Sequence, residues 1–218
     1  MRKCTTILII GTALAILPLS LACADGSNDN VSYILNGQID LQSDVSKVNV
    51  QVTNTDGSVD VTSIAGGNNA EIVTMNNTNA LNKQFVGSGA DIVSILNANV
   101  QNTTGGVSLD SETACNQASV STDPHEVNIK SEQVCDATDP YSQLNANVQN
   151  TGGGVALNSV ATGNSFEEDT NAPFSIVKNY QTNNSTEYSN INATVANTTG
   201  NVTATSVAIG NNAEIVHY

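Results

Sequence analysis

One segment of the chain occurs four times without an internal gap: VNVQVTNTDGSVDVTS from Val48, LNANVQNTTGGVSLDS from Leu96, LNANVQNTGGGVALNS from Leu144 and INATVANTTGNVTATS from Ile191. The Asn-Thr pair ahead of each turn stands at Asn54-Thr55, Asn102-Thr103, Asn150-Thr151 and Asn197-Thr198, so the steps are 48, 48 and 47 residues. A fixed period of this size is the signature of a repeat architecture, in which each unit buries its apolar face only against its neighbours.

The period-two pattern inside each copy selects strands. Val48, Val50 and Val52, with their counterparts Leu96, Ala98, Val100, then Leu144, Ala146, Val148, then Ile191, Ala193, Val195, share one side. Polar residues share the other: Asn49, Asn97, Asn145 and Asn192, followed by Gln51, Asn99, Asn147 and Thr194. That is a half-buried strand. A glycine-bearing turn follows (Gly57, Gly105-Gly106, Gly152 to Gly154, Gly200), where glycine suits a positive φ. A second strand runs through Val59, Val107, Val155 and Val202 to an inward serine at Ser63, Ser111, Ser159 and Ser206, expected to bond to backbone. A Gly-Asn corner at 67–68, 163–164 and 210–211 then precedes a third strand, opening at Ala70 and Ala213. Abundant Asn, Thr, Ser, Val and Gly, with no Trp, agree with short strands and tight turns.

The expected fold is all-β: a β-solenoid of four ~48-residue repeats, with a β-sandwich as the runner-up. If each half-period of roughly 24 residues is one coil, seven or eight coils at about 4.8 Å make a rod on the order of 35 Å long. In-register stacking predicts side-chain ladders from Asn49, Asn97, Asn145 and Asn192, from Asn54, Asn102, Asn150 and Asn197, and from Asn68, Asn116, Asn164 and Asn211. The repeat domain spans 48–218, and the bare strand ending at Tyr218 invites a homo-oligomer through terminal strands.

Ahead of it, residues 1–24 read as a signal peptide: Arg2 and Lys3, an apolar run from Thr5 to Leu21, and an Ala22-Cys23-Ala24 cleavage site. Lipidation of Cys23 is the alternative. Residues 25–47 read as a leader and N-terminal capping strands, with Val31 to Ser43 as a strand pair turning at Asn36-Gly37. The expected location is therefore exported, at the cell surface or outer membrane or outside the cell.

Charge excludes one class of partner. The chain carries 20 carboxylates against 6 Lys and Arg, a net charge of −14, and Arg2 is its sole arginine. Nucleic-acid binding needs clustered cations, so none is expected. Lys83, Lys130 and Lys178, one in each of three half-periods, read as solvated lysines that discourage edge pairing. Only His125 and His217 are present, and no nucleophile motif, P-loop or Cys/His cluster occurs, so no catalytic residue, metal site or cofactor is expected and the chain is not read as an enzyme. Diffuse calcium binding to the acidic surface is conceivable, the Asp56-x-Ser58-x-Asp60 run being a weak match to a specific site. Cys115, at the corner position held elsewhere by glycine, and Cys135 are expected to form a disulfide, closing a loop worth about 3 kcal/mol.

Two resemblances attach to these residues. The Gly-Asn-Asn-Ala-Glu-Ile-Val corners at 67–73 and 210–216 are similar to curli-type amyloid subunits. The longer N-V-x-N-T-x-G-x-V-x-x-x-S pattern resembles repeat-bearing bacterial surface and holdfast anchor proteins. These resemblances imply a structural or adhesive surface protein that binds or anchors polysaccharide through stacked Asn, Thr and Gln, with polysaccharide or outer-membrane anchor proteins as partners. A fibre-forming subunit is the first alternative and a polysaccharide-active β-helix enzyme the second.

Overall fold

The computed structural model of the chain describes residues 31–75, 77–122 and 126–217. The signal segment 1–24 with Cys23, the leader to residue 30, Pro124 and His125 lie outside the described residues. Twelve strands follow one another: β1 (Val31–Asp40), β2 (Asp44–Thr55), β3 (Val59–Thr74), β4 (Asn77–Val86), β5 (Asp91–Thr103), β6 (Val107–Thr122), β7 (Glu126–Cys135), β8 (Thr138–Thr151), β9 (Val155–Thr170), β10 (Phe174–Asn183), β11 (Tyr188–Thr198) and β12 (Val202–His217). They form three parallel four-stranded sheets. Sheet I is β1-β4-β7-β10, sheet II is β2-β5-β8-β11 and sheet III is β3-β6-β9-β12. The molecule is a β-solenoid of four coils, each contributing one strand to every sheet.

The coil is the whole 48-residue period. Val48 pairs with Leu96, Leu96 with Leu144 and Leu144 with Ile191. The expectation of two coils per period, and with it seven or eight coils, is corrected: four coils span only about 14 Å between the first and last strand layers. The half-periods lie side by side within one layer. Their link is the long sheet III strand, which replaces the separate second and third strands expected around the Gly-Asn corner.

That strand changes its inward phase midway. In β3, Val59, Ser63 and Ala65 are buried, and then Asn68, Ala70 and Ile72. The slip falls at Gly67, so odd residues face inward before it and even residues after. The first half of sheet III packs on sheet II around Leu96, Val100, Leu109, Leu144, Val148 and Leu157. The second half packs on sheet I around Ile72, Val120, Ile129 and Phe166. At the bend, Ile92, Val86 and Ala137 surround the disulfide between Cys115 and Cys135, whose Cα atoms are 5.8 Å apart. The expected pairing is present, joining the bend of the second coil to the end of a strand in the third.

Two details depart from the reading of the sequence. Val31–Asp40 is a single strand pairing with β4 along its length, so no turn occurs at Asn36-Gly37 and the first coil opens at Val31 rather than at Val48. The turn between sheets II and III is made chiefly by asparagine: Asn54, Asn102, Asn150 and Asn197 all have φ between 55° and 58°, while Gly57 alone among the glycines there is positive, at 126°. Asparagine tolerates this left-handed region because its short amide bonds locally. Gly105 serves closeness instead, since a Cβ there would lie 2.5 Å from the backbone of Gly57 in the coil below.

Candidate binding face

Parallel pairing at i to i+48 places like residues over like, and parallel strands lie about 4.8 Å apart. That spacing lets one amide donate to the next. On the outward face of sheet II, Asn97 Nδ2 donates to Asn49 Oδ1 and Asn145 Nδ2 to Asn97 Oδ1, each at 2.8 Å. Asn192 is in register with Asn145 but makes no such bond. The next column is Gln51, Asn99, Asn147 and Thr194, with Asn147 donating to Asn99 at 3.3 Å. Rungs tie the columns sideways: Gln101 to Asn99, Gln149 to Asn147 and Gln143 to Asn145, at 3.2 to 3.3 Å. The result is a flat net of neutral amides over a shallow groove lined by Asn49, Gln51, Asn97, Asn99, Asn145 and Asn147. At one margin, Tyr188 stands in register with Tyr141 on the neighbouring strand, with Tyr188 about half exposed.

The other predicted ladders exist but sit elsewhere. Asn102 donates to Asn54, Asn150 to Asn102 and Asn197 to Asn150, at 2.8 to 3.0 Å, forming an exposed spine along the turn. Asn68, Asn116 and Asn164 are buried at the bend. Each donates both to the amide oxygen of the coil above (Asn116, Asn164 and Asn211 in turn) and to a sheet I carbonyl, of Phe85, Val134 and Thr182, at 2.8 to 2.9 Å. These amides hold the bend and are out of reach of any ligand. The twelve asparagines thus divide into a face, a spine and a buried pin.

A fourth ladder escaped the sequence reading. Gln84 donates to Gln38, Gln133 to Gln84 and Gln181 to Gln133, at 2.8 to 2.9 Å. Each glutamine also donates to a sheet III carbonyl, of Asn69, Gln117, Ser165 and Asn212. The four stand in register, but their spacings of 46, 49 and 48 residues and dissimilar flanks hid them. Of the inward serines, Ser111 and Ser159 bond to backbone, at the carbonyls of Ser94 and Ser142, while the hydroxyls of Ser63 and Ser206 meet only those of a second serine column. There Ser94 lies between Ser63 and Ser111, and Ser142 between Ser111 and Ser159, with Ser94 and Ser142 donating to the carbonyls of Ser63 and Ser111.

Lys47 stands on the outward face itself, two residues ahead of Asn49, whereas the paired and shifted charges lie elsewhere. Glu132 on sheet I takes ion pairs from Lys83, at 2.8 Å, and from Lys130, which also lies 5.7 Å from the Tyr180 ring centre. Lys83 and Lys130 are thus solvated as expected but also ion-paired, and they stand on interior strands of sheet I, so of the three only Lys178, on β10, is placed to discourage edge pairing. The Lys130 bond, then that of Lys83, holds the Glu132 carboxyl down at about 2. Glu168 is fully buried with neither oxygen bonded, and burial, then the charge of Asp169, pushes it up to about 7. Asp44, beside buried Asp40, is pushed up to about 6 by burial and then by its hydrogen bond to Asp40. Among the described residues no cluster of three His, Cys, Asp or Glu converges on a point where a metal could sit.

No family model, curated protein or solved structure matches the chain.

Proposed function

We propose that this chain is an exported structural protein that adheres to neutral polysaccharide through the outward face of sheet II. One observation carries the reading: the central columns of that face contain only amides and one threonine, most of them bonded along the column or to a neighbouring glutamine at 2.8 to 3.3 Å, with Tyr141 and Tyr188 in register at one margin. An amide offers both donors and an acceptor. Bonding holds Asn49, Asn97, Asn99, Asn145 and Asn147 in place, so little of their side-chain entropy is lost when a hydroxyl-rich chain settles on the array. The tyrosine rings add flat apolar area for sugar C–H faces. A protein of net charge −14 repels uronate polymers, which favours neutral glycans. The disulfide fits an oxidising compartment.

Co-sedimentation with insoluble neutral glucan tests the reading. The chain should pellet with the glucan, and a variant carrying Asn97→Ala, Asn147→Ala and Tyr188→Ala should bind about tenfold more weakly, with an unchanged circular-dichroism spectrum. Equal binding by the folded variant would dismiss the face as the contact.

A further inference from the structure

Among the described residues, the strands of the first coil (β1, β2, β3) and of the fourth (β10, β11, β12) are sheet edges, each with one neighbour. The ladders end there with groups unmatched, and the mismatches are complementary. Along the turn spine and the glutamine ladder every amide donates downward, toward the first coil. Those two ladders leave acceptors open on the upper end, Asn197 Oδ1 and Gln181 Oε1, and N–H groups open on the lower end, on Asn54 and Gln38. The buried bend ladder runs the other way. It leaves the Asn211 amide N–H groups open above and the Asn68 Oδ1 open below. The lower coil also keeps the Ile39 carbonyl, the counterpart in register of the Phe85, Val134 and Thr182 carbonyls that the other bend asparagines bind.

We propose that the fourth coil of one molecule seats in register on the first coil of a second copy, giving a polar head-to-tail filament. All three amide ladders then run through the junction, each open donor meeting an open acceptor. The apolar columns continue too, with Ile191 over Val48, Val195 over Val52 and Val177 over Ile34, all partly buried residues packed on the cores. The contact repeats the coil-to-coil packing already inside the molecule. Head-to-head docking fails on the same grounds, because Asn54 N–H would face Asn54 N–H and the added strands would be antiparallel. Such a heterologous contact does not close on itself, so it propagates.

Charge opposes the junction at two places. Glu214 would stand over Glu71, as it already stands over Glu167 within the molecule. Glu187 and Asn183 of the upper end would face Asp44 and Asp40 of the lower. The nearby lysines do not neutralise them, because Lys178 falls over Leu35 and Lys47 lies under Asn190. Protonation of Asp44, which burial pushes up to about 6, and of Glu187, also raised by burial, relieves the second of these contacts, so the filament is expected at pH 5 before pH 8.

The test uses the full chain at pH 5 across a concentration series, read by mass photometry and electron microscopy. Expected are open-ended oligomers growing with concentration, with an axial repeat of four coils, about 19 Å. Two blocked variants then fix the polarity: Asn211→Asp with Val195→Lys on the upper end, and Asn54→Asp with Val52→Lys on the lower. Each alone should associate at least about tenfold more weakly than the parent, yet an equimolar mixture should form a one-to-one dimer through the two intact ends. If a double variant does not fold by circular dichroism, the single Asp substitutions are compared for the same weakening. A monomer at every concentration, a closed dimer of the parent, or self-pairing of either blocked variant would overturn the proposal.

Discussion

The two halves of each coil are held by different means. In the first half, sheet II against the start of sheet III, the inward columns are hydrocarbon apart from one facing pair of serine columns: Val48, Leu96, Leu144 and Ile191 stand in one, Val59, Val107, Val155 and Val202 in another. In the second half, sheet I against the end of sheet III, the columns are mixed. Ala70, Ala118, Phe166 and Ala213 share one, Ile72, Val120, Glu168 and Ile215 share another, and the glutamine ladder runs through the middle. The disulfide sits where the halves meet, at the third-coil end of sheet I. An apolar column demands matched volumes, because interiors pack at crystal density. A hydrogen-bonded column demands only that each amide find its neighbour, which leaves residues around it free to vary. The repeat is therefore strict in one half and loose in the other, although both build the same number of strands.

The largest effect should come from the strict half. Leu144→Ala removes a fully buried side chain between Leu96 and Ile191 and should cost about 2–5 kcal/mol in urea unfolding. A cost below about 1 kcal/mol would show that the first core yields as easily as the second.

Next comes Glu168→Val in the loose half, which restores the apolar column and should stabilise by about 1–3 kcal/mol at pH 8. The sign follows from proton binding. The folded-state carboxyl titrates at about 7 against an ordinary 4.5, so the folded protein holds a proton that the unfolded chain has released. Stability from this group falls as pH rises from about 4.5 to about 7 and is flat on either side. Asp44, at about 6, acts in the same direction, and Glu187 is also raised by burial. Glu168→Val should therefore remove much of the slope between pH 4.5 and 7 and leave the part due to Asp44 and Glu187. Glu132, held down at about 2, acts oppositely and only in stronger acid, its contribution fading as pH falls below 4.5. An unchanged pH–stability profile would contradict this ordering.

The smallest effect lies on the spine that both halves share. Asn102→Ala forces alanine to φ 57° and cuts both exposed amide links of that residue, to Asn54 and from Asn150, which should cost about 1–2 kcal/mol. Asn102→Gly should recover the conformational part alone. Thermal midpoints of the two variants separate strain from hydrogen bonding.

The sequence by itself determined that the chain is a stacked all-β repeat, because a 48-residue period with strict two-residue alternation allows little else. The alternation also named the inward valines and leucines, the amides of the outward face, and the cysteine that replaces a corner glycine. It could not show how many strands make one coil: a 24-residue half and a 48-residue whole both fit the periodicity of Val48 to Ser63, and only the pairing of Val48 with Leu96 decides. The glutamine ladder and the fates of the three asparagine sets were hidden for a related reason. Asn49, Asn54 and Asn68 belong to the same repeat and carry the same amide, yet one lies on an open sheet, one turns the chain and one is pinned inside the bend. Burial is set by which sheet comes to lie across the bend, a contact between segments 17 to 18 residues apart that local pattern does not record.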